Sequence, residues 1–202
     1  AGVVYLVFAG MTLAQALIPG LVPVTDDSFG SSFITAPVEN RYQIRNRGGE
    51  VVGEMTCTLS PNGMYTHLAC DSATRAYEVR VDNSTYIDGG HSDTLQVKWE
   101  SNGMQLVQFE LQRTHADGAT MRSYTEGDRL VTEFTGETQS VEIPQYALLE
   151  MEWFWRATVL KANTGQALKL PYVSLLAWDP EQQQAIPSVT DEVLRVAADE
   201  TL

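Results

Sequence analysis

The sequence predicts a mainly β protein: a curved antiparallel sheet with one packed helix, preceded by a single N-terminal transmembrane helix. Three observations predict it. Short segments of alternating polarity recur between turn signals from Arg41 onward. One stretch, Pro144 to Arg156, breaks that rhythm with apolar residues at helical spacing. The stretch from Ala1 to Val24 contains no charged residue.

The N-terminal stretch opens with the nearly continuous apolar run Gly2 to Met11, diluted afterwards by Thr12, Gln15 and Pro19. A secretory signal peptide with Ala14-Gln15-Ala16 as its cleavage site is one reading. The other is a retained anchor over residues 1–22. Roughly eighteen helical residues span about 27 Å, enough to cross the hydrocarbon core. We take the retained anchor, in contact with membrane lipid. The nearest charges downstream are Asp26 and Asp27, and the first basic residue is Arg41. Cations mark the cytoplasmic flank, so the bulk of the chain is expected outside the cytoplasm, with the orienting basic residues upstream of Ala1. Residues 23–40, rich in Ser, Thr, Pro, Gly and Asp, read as a linker or extended arm.

The body, residues 41–202, reads as one extracytoplasmic β domain. Asn62-Gly63, Gly89-Gly90, Asn102-Gly103, Asp117-Gly118, Gly127-Asp128 and Thr164-Gly165 are turn signals. Between them Tyr77-Val79-Val81, Leu95-Val97-Trp99 and Val107-Phe109-Leu111 alternate with polar neighbours, and Leu130–Phe134 and Val141–Ile143 continue the series. One face apolar and the other polar is the pattern of an antiparallel sheet with one wet face. In Pro144–Arg156 a proline stands near a helix start, and Leu148, Met151 and Trp155 share a helical face. Ala167–Trp178 reads as a strand whose Pro171 calls for an edge or a bend, and Val189–Ala197 as a further strand.

Cys57 and Cys70 fall on the more apolar face of a hairpin, since Met55-Cys57-Leu59 and Met64-Leu68-Cys70 alternate in step. A disulfide between them is expected, the alternative being two buried thiols. Register is its difficulty. A two-residue turn at Asn62-Gly63 pairs Cys57 with Leu68 and leaves Cys70 diagonal, roughly 7–8 Å away. A longer loop or a bulge is then required.

Tyr42-Gln43-Ile44, the run Gly48 to Met55, and Val141-Glu142-Ile143-Pro144 leading to Leu148-Leu149 and Arg156 carry a family likeness. Over residues 41–197 the chain resembles bacterial exported half-barrels of the lipoprotein-carrier kind. That resemblance implies a curved antiparallel sheet round a helical plug and a lipid-binding role. The chain departs from it in having no cysteine near residues 10–25 to acylate.

Charge excludes one class of partner. With 26 acidic and 13 basic residues the net charge is −13, which repels phosphate backbones, so nucleic acid is not expected. His67, His91 and His115 read as solvated, on a polar strand face or beside turns, so no metal and no cofactor are expected. Glu150 and Glu152 would point apart on a helix. No nucleophile elbow, phosphate loop or dinucleotide fingerprint is present. The expectation is therefore a non-catalytic accessory subunit of a membrane complex of the respiratory or photosynthetic kind, with other membrane-protein subunits as partners. The alternative is a tethered carrier, with Phe109, Trp153, Phe154 and Trp155 lining an apolar pocket or meeting a partner.

Overall fold

A computed structural model describes residues 21–25, 28, 35–46, 48–81, 84–100, 105–152, 155, 167–179 and 184–195. Among these residues twelve strands follow in chain order: β1 (Leu21–Pro23), β2 (Val38–Arg45), β3 (Val51–Asn62), β4 (Tyr65–Val81), β5 (Ser84–Glu100), β6 (Leu106–His115), β7 (Thr120–Glu126), β8 (Arg129–Phe134), β9 (Glu137–Glu142), β10 (Leu148–Leu149), β11 (Ala167–Asp179) and β12 (Gln184–Arg195). The molecule is mainly β, as its alternating pattern predicts. It divides into two compact units, with the boundary falling inside β9 after Ser140; a single domain over 41–202 is what the sequence suggests.

The first unit is a meander in which β2 to β9 pair in chain order as an eight-stranded sheet. Local turns explain that order, because each short connection delivers the next strand antiparallel beside the last. Among the described residues three connections are two-residue turns. Gly63-Met64 and Gly127-Asp128 put glycine at the first central position, with φ of 63° and 62°. That is the chemistry of a II′ turn, where only the first central residue needs positive φ. Between β8 and β9, Thr135 and Gly136 both have positive φ, 51° and 85°, as a I′ turn requires.

Glycine at the first position rather than the second corrects the hairpin register. The turn is Gly63-Met64, not Asn62-Gly63, so Asn62 faces Tyr65, Leu59 faces Leu68, and Cys57 faces Cys70. The Cα atoms of the two cysteines are 4.1 Å apart, and their sulfurs are bonded. Neither a longer loop nor a bulge is involved.

Gly89-Gly90 is not a turn. Both residues lie inside β5, and Gly90 has φ 84°. A Cβ there would come within 2.6 Å of the Thr74 carbonyl oxygen, and one on Gly53 of β3 within 2.3 Å of the Ala73 carbonyl oxygen. Two glycines on opposite sides of β4 thus allow close backbone approach at the same level of the sheet.

The register places one set of side chains on one face. Cys57 and Leu59, Leu68 and Cys70, Leu95, Val97 and Trp99, Phe109 and Leu111, Met121 and Leu130 are all buried. On the other face polar pairs meet: Arg122 with Glu110, Tyr124 with Glu133, and Lys98 over the Tyr65 ring.

The second unit contains β1, β10, β11 and β12. β12 runs antiparallel along the whole of β11, while β1 and β10 pair in parallel with successive parts of its opposite side. β11 is therefore central, and buried Ala167, Leu168, Leu170, Val173 and Leu175 come from both of its faces. Pro171 survives in a central strand for a specific reason. Lys169 and Val173 turn their carbonyl groups toward β1 and β10, where they accept from Val24 and Glu150, so the nitrogen of Pro171 points the same way. It falls between the residues paired with β1, ending at Lys169, and those paired with β10, starting at Tyr172. No ladder hydrogen bond is lost there. The expected edge or bend is not needed.

The expected helix over Pro144–Arg156 is corrected for its described part. Tyr146 and Met151 have φ of 64° and 77°, which interrupts any helix. Leu148 and Leu149 between them form β10, register-paired with Tyr172 and Val173. Of the described residues in this stretch only Trp155 is helical. Tertiary pairing overrides a local pattern that served a strand equally well. Among the described residues no helix is long and apolar enough to cross a membrane. The expected anchor over 1–22 lies outside the described residues, save Leu21 and Val22, which are strand.

Candidate functional site

The buried face of the eight-stranded sheet is apolar along most of its length and turns polar at one end. The same parity that carries Leu95, Val97 and Trp99 in β5 carries His91 and Asp93; in β6 it carries Arg113 and His115 beyond Phe109 and Leu111. Cross-strand pairing sets Asp93 against Arg113 and His91 against His115. The Arg113 fork is bidentate, with Nε 2.7 Å from Asp93 Oδ1 and Nη2 2.8 Å from Oδ2. The Asp93 side chain is 3% exposed and that of Arg113 20%. A carboxylate so buried requires this partner.

Further polar groups gather around the pair. His91 Nε2 lies 3.5 Å from Asp93 Oδ2, and its Nδ1 lies 3.2 Å from Thr74 Oγ1. That hydroxyl also accepts the His91 backbone N–H at 3.1 Å, clamping β4 to β5. The His115 ring packs between His91 and Phe134, with centroids 6.1 and 5.9 Å away, and its buried Nε2 has no hydrogen-bond partner among the described residues. Two strands further, the buried hydroxyls of Ser123 and Thr132 meet at 2.9 Å.

A hydroxyl, an imidazole and a carboxylate in line have the composition of a nucleophile–base–acid row. Here the Thr74 hydroxyl, besides facing the imidazole, accepts the His91 backbone N–H, and the Asp93 carboxylate is held by a guanidinium. Ser92, adjacent in sequence to His91 and Asp93, belongs to the opposite face by parity. Among the described residues no group of three or more His, Cys, Asp or Glu side chains is placed to hold a metal ion.

A cavity of about 470 Å³ lies at the ends of β7, β8 and β9, under the Gly118 and Gly136 turns. Thr120, Arg122, Glu133, Glu137 and Thr138 line it, with Phe134 as its one aromatic residue. Arg122 donates to Glu110 through Nε and Nη2, at 3.1 and 3.0 Å. Donation from Gln112, and then from Arg122, holds the Glu110 carboxyl below its ordinary range. The Tyr124 hydroxyl donates to Glu133, which raises the phenol above its ordinary value. The lining is evenly divided between polar and apolar surface, whereas a carrier of apolar ligands needs a mostly apolar pocket of about 300 Å³ or more.

Of the four residues expected to line an apolar pocket, the two described ones, Phe109 and Trp155, do not line this one. Phe109 is fully buried in β6 of the first unit, and Trp155 is buried in the second. Trp153 and Phe154 lie outside the described residues. Glu150 and Glu152, expected to point apart on a helix, both turn inward. Glu152 is buried and accepts the Leu149 backbone N–H at 2.9 Å; Glu150 accepts the Ser174 hydroxyl and the Leu175 N–H, both at 2.9 Å. His91, expected in a solvated turn, is a half-buried strand residue, and His115 packs on rings.

Sequence reasoning missed the Asp93–Arg113 pair, yet a signal for it exists. Both residues continue the apolar parity of their strands, and opposite charges at apolar positions of neighbouring strands mark a buried ion pair. No protein-family model, no curated protein and no solved structure matches the chain.

Proposed function

We propose that this chain is a non-catalytic accessory subunit of a membrane complex, tethered by its N-terminal apolar segment, with its β units on the extracytoplasmic side. The Cys57–Cys70 bond is the observation that carries the reading. Its cysteines are 1% and 3% exposed, on the apolar face between two neighbouring strands, where a bond staples the sheet and has no access to substrates. Structural disulfides belong to oxidising compartments. The uncharged run from Ala1 to Val24 supports the tether. The buried Asp93–Arg113 pair supports a structural rather than catalytic role, because its two charged groups stabilise the fold by binding each other.

Affinity purification from native membranes in mild detergent tests the reading. Stoichiometric co-purifying subunits are expected. A monodisperse single-chain species in native material would refute the subunit role. Digestion of the region after Arg41 by protease added on the cytoplasmic side would refute the orientation.

A further inference from the structure

Tethering by residues before β1 constrains which surface meets the bilayer, because β1 leaves no slack. Leu21, Val22 and Pro23 pair with Ala167, Leu168 and Lys169, and the Val24 N–H donates to the Lys169 carbonyl at 3.2 Å. The apolar run reaches Ile18, so only Pro19 and Gly20 separate it from the sheet. Three residue steps span about 10 Å at full extension.

We propose that the Ala167/Arg195 end of the β1–β11–β12 sheet rests against the lipid surface, with the headgroup layer as its partner. This rests on the tethered reading above and adds which end is proximal. Register defines the two ends: Ala167 faces Arg195 at the proximal one, and Asp179 faces Gln184 at the distal one. Twelve residue steps along β11 separate them, about 40 Å of strand. Charge adds no separate attraction, because the Lys169 ammonium at this end is held by Asp191 at 2.7 Å and the net charge of the chain is −13, so the tether defines the proximal end.

Spin labels on β12 test the proposal in the full chain reconstituted in phosphatidylcholine vesicles. Single cysteines replace Asp191, which faces Pro171, then Val189, which faces Val173, and Gln184 at the distal end. The buried native pair is already bonded and does not compete for label. Thr190→Cys duplicates the proximal probe without removing the 2.7 Å Lys169–Asp191 ion pair. Vesicle flotation is read first, then collision with a nickel chelate carried on lipid headgroups. The expected result is a chain that floats, with nickel accessibility falling several-fold from residue 191 to residue 184. Ten Gly-Ser residues inserted after Ile18 should flatten that gradient while the chain still floats. A floating chain with a flat or reversed gradient overturns the proposal and leaves the tether standing. A chain that does not float overturns both.

Discussion

Removing the Cys57–Cys70 bond gives the most direct measure of how the first unit is held together. The two residues are 13 apart in sequence. A cross-link closing a loop of that length removes about 10 cal/mol/K from the unfolded chain, roughly 3 kcal/mol at 25 °C. The folded side adds little change, because both positions are buried and Ala at each fits the same apolar face with only small cavities. The double variant Cys57→Ala/Cys70→Ala should therefore lose about 3 kcal/mol, with a smaller further loss from packing. Urea unfolding followed by tryptophan fluorescence measures it, since Trp99 is buried beside this part of the sheet. Reduction under native conditions should be slow, because neither sulfur is exposed, and fast once urea opens the unit. Oxidised and reduced material with the same urea midpoint would refute the reasoning. So would two freely alkylated thiols in native protein.

Other substitutions test the remaining geometry. Asp93→Asn should destabilise the first unit by roughly 2–4 kcal/mol, a buried-pair loss discounted because Arg113 is partly exposed, and Asp93→Leu with Arg113→Met should recover most of it in the same urea assay. Gly90→Ala places a Cβ within 2.6 Å of a carbonyl at φ 84°, whereas Gly118→Ala at φ 89° meets nothing within 4 Å; the first should cost more than the about 1–2 kcal/mol of left-handed strain expected for the second. Thr135→Asn, at a φ of 51° in a I′ turn, should raise the thermal midpoint, by about 0.5–1 kcal/mol of stability. Glu110 should titrate below 4.5 in carbon-detected NMR, and Gln112→Ala should move it up; its contribution is present above pH 4.5 and is lost as pH falls through the lower folded value.

Period-two patterning by itself determined the antiparallel sheet. Leu95-Val97-Trp99 and Val107-Phe109-Leu111 state which side of β5 and most of β6 is apolar, because successive residues of a strand point to opposite faces. Even there Val107 ends up exposed, since a register shift between Lys98 and Trp99 breaks the alternation at the start of β6. The parity of Cys57 and Cys70 was legible for the same reason.

What stands opposite what was decided by tertiary structure. One residue of turn placement, Gly63-Met64 in place of Asn62-Gly63, moves Cys57 from Leu68 to Cys70, and sequence signals for II′ and I′ turns overlap at an Asn-Gly-Met run. Gly89-Gly90 reads as a turn from composition, but the close approach of Thr74 and Arg75 makes it strand interior. Leu148-Leu149 fits a helix and a strand locally; hydrogen bonding to β11 and the inward-turned carboxylates of Glu150 and Glu152 choose the strand. Local sequence reports the preference of each segment for a face. Partners come from segments far along the chain, and only the assembled ladder says whether a charge such as Asp93 meets Arg113 or water.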